Sequence, residues 1–457
     1  MRGKIILRLH ALVLSVLLCS CINDDITDDK SAQPEFSCEV LDMETVFTGS
    51  SSPVYAFKVY NRNKDGIVIG SVGFRDGSAS AGFALNVDGE AGTRFENIEI
   101  PGKDSIYVFV KAVMPPVGTP EPVRVSAPLD FITNGVKSTV LLEALAQDVI
   151  RVEPGTVDGA VEWNSEYPYN ILGTVIVPEG SELDIARGMR LYFHAGAGLR
   201  ISGRLVVDGT SDAPVLMCGD RFGNVASSIP YDVVPGQWRG IELSGPSSEC
   251  KMNFTTVANT EIGVVADGST RLSLLNCRLR NSSSSVLSAA ATDVKAVGCE
   301  FAGAPAGVIV LDGGSHIFNH CTVANDYLFS PVEGAMLVLE SERTEVVFAN
   351  SILYGVGPLH TPADINGRHV YFKRCLLKTD GFDDTNYSDI LWGVDPCFDL
   401  LPEEYRFDYR LTSQSPAIGA GDAMLSLPES SVDFYGLQRG SAPDLGAYVY
   451  RDILQSK

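Results

Sequence analysis

The sequence predicts an all-β protein: an N-terminal β-sandwich of the immunoglobulin-like class, followed by a right-handed parallel β-helix. Three observations carry that expectation. Short alternating apolar and polar runs recur along the chain without a convincing amphipathic helix. Near residues 146–155 the texture changes from long alternating strands to much shorter ones. From residue 250 onward a pattern repeats every 22 residues, a period that indicates a solenoid.

The chain opens with Arg2, Lys4 and Arg8 around a short apolar core, Leu12 to Leu18. That core is shorter than the ~20 residues needed to span a bilayer. Residues 1–20 therefore read as a secretory signal. Residues 21–37 hold Asp24, Asp25, Asp28 and Asp29 and read as an acidic flexible tether. The formal net charge is −22. Loss of residues 1–20 would remove those three basic residues and no acidic one, leaving −25. Such a balance argues against nucleic acid and against electrostatic docking on anionic lipid.

Residues 38–148 are expected to form the sandwich. "YAFKVYN" places Ala56, Lys58 and Tyr60 on one face and Tyr55, Phe57 and Val59 on the other. "SIYVFVKAV" and "STVLLEAL" alternate likewise. Cys38 is the only cysteine in this span, so the Cys…Trp…Cys pattern of antibody domains is missing.

Residues 149–394 are expected to form the β-helix. At a spacing of 22, Cys250, Leu272, Val294 and His316 fall in one column, and Met252, Leu274, Ala296 and Phe318 in the next. Thr255, Cys277, Cys299 and Cys321 follow, then Val257, Leu279, Phe301 and Val323. Asn259, Asn281, Gly303 and Asn325 make a turn column, and Val264, Val286 and Val308 another column. A leucine-rich repeat competes, but the segments after the asparagine are rich in Gly, Pro, Ser and Val, which are poor helix formers. Three short strands per coil fit better, stacked at ~4.8 Å. Ser351 and Cys375 extend the cysteine column, and residues 326–333 and 357–368 are expected to leave the coils as side loops. Stacked side chains point the same way, so the cysteines are expected as free thiols, with Arg278 facing solvent between them.

The C-terminal segment, residues 395–457, contains "DPCF", "DYRL", "SPAIGAGD", "DFYGLQR" and "DLGAY". Asp395, Tyr409, Arg410, Ser415, Pro416, Asp422, Gly436, Arg439, Asp444, Gly446 and Tyr448 resemble the closing region of the choice-of-anchor Q family, with Val449 in place of the usual Glu. The resemblance implies an extracellular parallel β-helix of the pectate-lyase-like type. The expected role of the segment is a cap over the open end of the stack. "LCSC", Leu18 to Cys21, resembles a bacterial lipobox and implies lipid attachment at Cys21. The acidic patch behind it resembles the surface-export signal of Gram-negative outer-membrane lipoproteins. The membrane is thus an expected partner, through a lipid anchor.

Polygalacturonase-type hydrolases resemble N-x-D, D-D, G-H-G and R-x-K along one face; G-H-G is missing from this chain, and R-x-K from the β-helix span, residues 149–394. A lyase needs a Lys or Arg base beside calcium carboxylates. Lys373 and Arg374 supply candidate bases, and Asp380, Asp383, Asp384 and Asp389 candidate carboxylates. Trp392, beside them, is a candidate sugar-stacking residue, so Asp383, Asp384, Asp389 and Trp392 form the candidate ligand loop. Calcium is the one ion for which that loop holds ligands; no other cofactor is indicated. His316, His320 and Cys321 invite a zinc reading, but the columns point His316 inward and place His320 at a surface turn. Trp238 reads as core, and no G-x-S-x-G occurs. The functional expectation is a lipid-anchored surface protein whose rigid β-helix binds a polysaccharide or a surface protein without catalysis. The alternative is a polysaccharide lyase or glycoside hydrolase.

Overall fold

A computed structural model describes residues 25–75, 81–225, 228–268 and 271–452. Cys21 and the signal segment lie outside the described residues. The chain divides into two compact units, with the boundary between Asp148 and Val149.

The first unit is a sandwich of two five-stranded sheets. One sheet runs Glu35–Phe36, Tyr55–Tyr60, Ser105–Ala112, Phe83–Val87, Glu90–Gly92. The other runs Val40–Phe47, Val136–Gln147, Val123–Thr133, Ile67–Phe74, Arg94–Ile100. Alternation sends Phe57, Val59, Val108 and Val110 from the first sheet, and Ile69, Leu129, Phe131 and Leu142 from the second, into one core. All strand pairs are antiparallel except Val40–Phe47 with Val136–Gln147.

The flexible tether expected over residues 21–37 is corrected for its described part. Ile26 bridges to Gly66, Ala32 is buried in the sandwich core, and Glu35–Phe36 pairs with Val59 and Tyr60. Ala32 and Phe36 supply apolar contacts that the acidic composition had hidden.

The second unit is a parallel β-helix with sheets of 11, 9 and 10 strands. Cys250, Leu272, Val294 and His316 stand in register, as do Met252, Leu274, Ala296 and Phe318. The latter column continues through Phe348, Phe372 and Tyr387. Its rings stack along the axis at 4.5, 5.4 and 5.2 Å between centroids. One column slips. Val264 pairs with Leu287 and then Ile309, not with Val286 and Val308, because one more residue separates Asn281 from the following strand than separates Asn259 from its own.

The C-terminal segment, expected to cover the open end, packs on the side of the stack. It runs back along the flank of the stack. The Ala447 amide donates to Thr322 Oγ1, the Gly446 amide to the Asn350 carbonyl, and the Leu427 amide to Asn319 Oδ1. The reason lies in the outward positions of the 11-stranded sheet. Ala302, Ala324, Ile352 and Leu376 are small or apolar and need cover. Tyr409, Phe434, Ala447 and Tyr448 cover the first two, and Leu411, Ala417 and Leu445 the others.

Candidate functional site

The recurring cysteines serve a corner. Immediately before each one, Phe254, Asn276, Gly298, His320, Asn350 and Arg374 all take positive φ. The next residue then donates to the carbonyl two positions back: Thr255 to Asn253, Cys277 to Leu275, Cys299 to Val297, Cys321 to Asn319, Ser351 to Ala349 and Cys375 to Lys373. The column therefore requires a small side chain carrying a donor, which Thr, Ser and Cys share. All eight cysteines among the described residues are free thiols. Burial pushes the Cys375 thiol up to about 12. The same corner could have been read from Asn276, His320 and Asn350 at one offset, since Asn and His tolerate positive φ.

His316 lies inside the coil, with Nε2 against the Gly313 carbonyl. His320 is fully buried, not at the surface as expected. Nδ1 meets the Asp444 carbonyl and Nε2 the Ser426 hydroxyl, both from the C-terminal segment. Burial, joined by the Arg439 charge, pushes its pKa down to about 2. No group of three or more His, Cys, Asp or Glu side chains suited to a metal occurs among the described residues. Trp238 is core, stacked on Phe193 with centroids 3.9 Å apart.

The motif residues of the C-terminal segment act as staples. Asp433 accepts from the amides of Tyr435, Leu437 and Val449, and Asp444 from those of Gly419 and Tyr450. Arg439 is buried beside both carboxylates and donates to the Ala447 carbonyl at 2.8 Å.

The candidate ligand loop is likewise spent on itself. Asp383 accepts from the Asp389 amide at 2.7 Å and from Trp392 Nε1 at 3.1 Å. Asp384 accepts from the amides of Asn386 and Tyr387. Trp392 leans on the Tyr387 ring at the end of the core, 5.0 Å between centroids. Arg374 Nε donates to the Ala420 carbonyl. These groups close the last coil, and they form no group of three or more His, Cys, Asp or Glu side chains suited to a metal.

The concave site lies elsewhere, between the flank of the 11-stranded sheet and the C-terminal segment. It is a cleft of about 250 Å³. Arg278, Arg280 and Asn281 line it from the sheet, Tyr405–Tyr409 and Tyr435 from the C-terminal segment, and Asp232 and Val233 from a loop. That loop is held by the turn column. Asn259 donates to the carbonyls of Asp232 and Val234, and Asn281 to that of Asp232. The asparagines thus bind the loop and not one another. A smaller hollow shares Val233, Asn281, Phe407 and Tyr409 and adds the side loop Asp326–Phe329.

Arg278, expected in solvent, is largely enclosed. Its guanidinium lies over Phe434, Tyr435 and Tyr448, at 3.9, 4.8 and 5.4 Å. Its Nε donates to the Tyr448 hydroxyl at 3.0 Å. Arg280 pairs with buried Glu300, which also accepts from the Tyr448 hydroxyl. Burial raises the Asp232 carboxyl above the usual range, against the opposing pull of Arg280. Burial would raise Asp408 too, but hydrogen bonds from Arg410 outweigh it and hold it below that range. The site thus joins fixed cations, aromatic faces and two carboxyls of opposite bias. Arg278 and Tyr435 carried no motif that sequence reasoning uses; only the fold brings them together.

Comparison with protein-family models found no match, the C-terminal segment included, and a search of curated proteins found no relative.

Proposed function

We propose that the chain is a lipid-anchored surface protein that binds an oligosaccharide in the cleft between the β-helix flank and the C-terminal segment. One observation carries this reading: Arg278, Arg280 and Asn281 line the cleft together with the rings of Tyr405, Phe407 and Tyr435. Sugar recognition needs that combination, since hydroxyls take fixed donors while the C–H faces of a pyranose lie on rings. The side loop Asp326–Glu333 adds Tyr327 and Phe329 at the rim, 5.8 Å apart. The anchor part rests on the LCSC resemblance, and the surface location on the choice-of-anchor Q-type motif and the acidic patch.

A glycan array with the purified full chain tests the reading. Tyr435→Ala removes a half-exposed cleft wall that also rests on Phe434 and Tyr448, and, in a variant that melts like the parent, should weaken capture at least tenfold. Capture undiminished in this variant, or no capture of any glycan, would sink it. A second reading is glycoside hydrolysis, favoured by Asp232 and Asp408, whose opposite biases suit an acid and a charged partner. It requires reducing ends to be released from a captured glycan and that release to stop in Asp232→Asn.

A further inference from the structure

We propose that the outward face of the sandwich sheet centred on Ser105–Ala112 is a second binding surface, a ledge for an acidic polysaccharide. This site is separate from the cleft and stands without it.

Ser105–Ala112 is the central strand of its sheet. Its buried side chains alternate with exposed Tyr107, Phe109 and Lys111. Tyr107 is 46% and Phe109 40% exposed, an unusual position for two neighbouring large rings at the middle of a sheet face. The rings lie 5.7 Å apart and nearly parallel, at 16°. A small neighbour leaves Phe109 raised, since Ala56 stands beside it on one side; Ala84 stands beside Lys111 on the other. Asn86 flanks Phe109.

Charge selects the occupant. Lys58 stands beside Tyr107, with Nζ 4.8 Å from the ring centroid. Arg62 lies over Tyr60 and pairs with Glu35, whereas neither Lys58 nor Lys111 pairs with a carboxylate among the described residues. Rings that stack on sugar faces, beside lysines with charge to spare, fit a polymer carrying carboxylate or sulfate groups. The net charge of −22 does not cancel this, because charges farther than about 8 Å are largely screened at physiological salt. A second copy of the chain is disfavoured, since a symmetric contact through this face would bring its lysines together.

Affinity electrophoresis of the full chain through gels holding polygalacturonate, dextran sulfate or neutral dextran tests the proposal. Retardation by a polyanion and none by dextran is expected. Tyr107→Ala/Phe109→Ala and Lys58→Gln/Lys111→Gln should each weaken it at least tenfold, while Tyr435→Ala should leave it unchanged. All of these positions are exposed or half-exposed, and near-UV circular dichroism verifies that each variant is folded. No retardation by either polyanion would overturn the proposal, as would equal retardation by dextran. So would loss confined to the lysine variant, which would reduce the effect to charge, or loss in Tyr435→Ala, which would assign it to the cleft.

Discussion

Cys299 shows how one atom can decide a column. Its Sγ accepts from the Cys277 amide and donates to the Val297 carbonyl. Ser351 does the same two coils on, accepting from the Cys321 amide and donating to the Ala349 carbonyl. Cys299→Ser should therefore cost less stability than Cys299→Val. Val is apolar and of similar size but leaves the buried Cys277 amide unmet, at about 1–3 kcal/mol, while the Val297 carbonyl keeps its bond from the Asn276 amide. Urea melts of both variants check this, and a more stable Val variant would refute the corner account. His320 carries a pH prediction. Folded, it stays neutral down to about pH 2; unfolded, it takes up a proton below about pH 6.5. Its contribution is complete above pH 6.5 and is lost as pH falls, amounting to about 2 kcal/mol by pH 5. His316 and His360, lowered by the same cause, add to the slope. His320→Gln should melt earlier at pH 7 yet lose less between pH 7 and pH 5 than the parent. An unchanged pH slope would count against a neutral His320. The cysteine column was legible in the sequence as spacing. Its cause was not, because a hydrogen bond two residues back leaves no trace in hydropathy.

At the scale of elements, the inward columns were readable because a stacked core tolerates only apolar or small residues, rung after rung. The flank was not readable. Arg278 sits between apolar neighbours in the manner of a solvent-facing residue, and only a segment distant in sequence encloses it. The same gap hid the cleft, whose two walls are more than a hundred residues apart along the chain. Gly446 fixes how closely the segment approaches. Its φ is +85°, and a β-carbon there would lie 2.7 Å from Thr322 Oγ1 and 2.9 Å from Ile352 Cδ1. Gly446→Ala should lower the melting temperature, with strain of about 1–3 kcal/mol before the clash is counted. It should also raise binding of a hydrophobic dye as the flank is uncovered. A variant that melts like the parent and binds no more dye would show that the segment adapts.

For the whole molecule, the two units have separate cores and separate candidate surfaces, one a polar cleft and one an aromatic ledge. The anchor prediction belongs at this scale. Cys21→Ala should move the protein from membrane pellets to the soluble fraction, and unchanged pelleting would refute lipid attachment at that residue. The coils need only their immediate neighbours to form, so they can stack in the order in which they are made. The flank cannot be finished that way. The side chains that enclose Arg278 and His320 are synthesised after the coils they clasp, which were made more than a hundred residues earlier. Completion of the flank therefore waits until residues as far as Tyr448 have been made. A truncated product would display the bare apolar flank as a mark by which quality control recognises it.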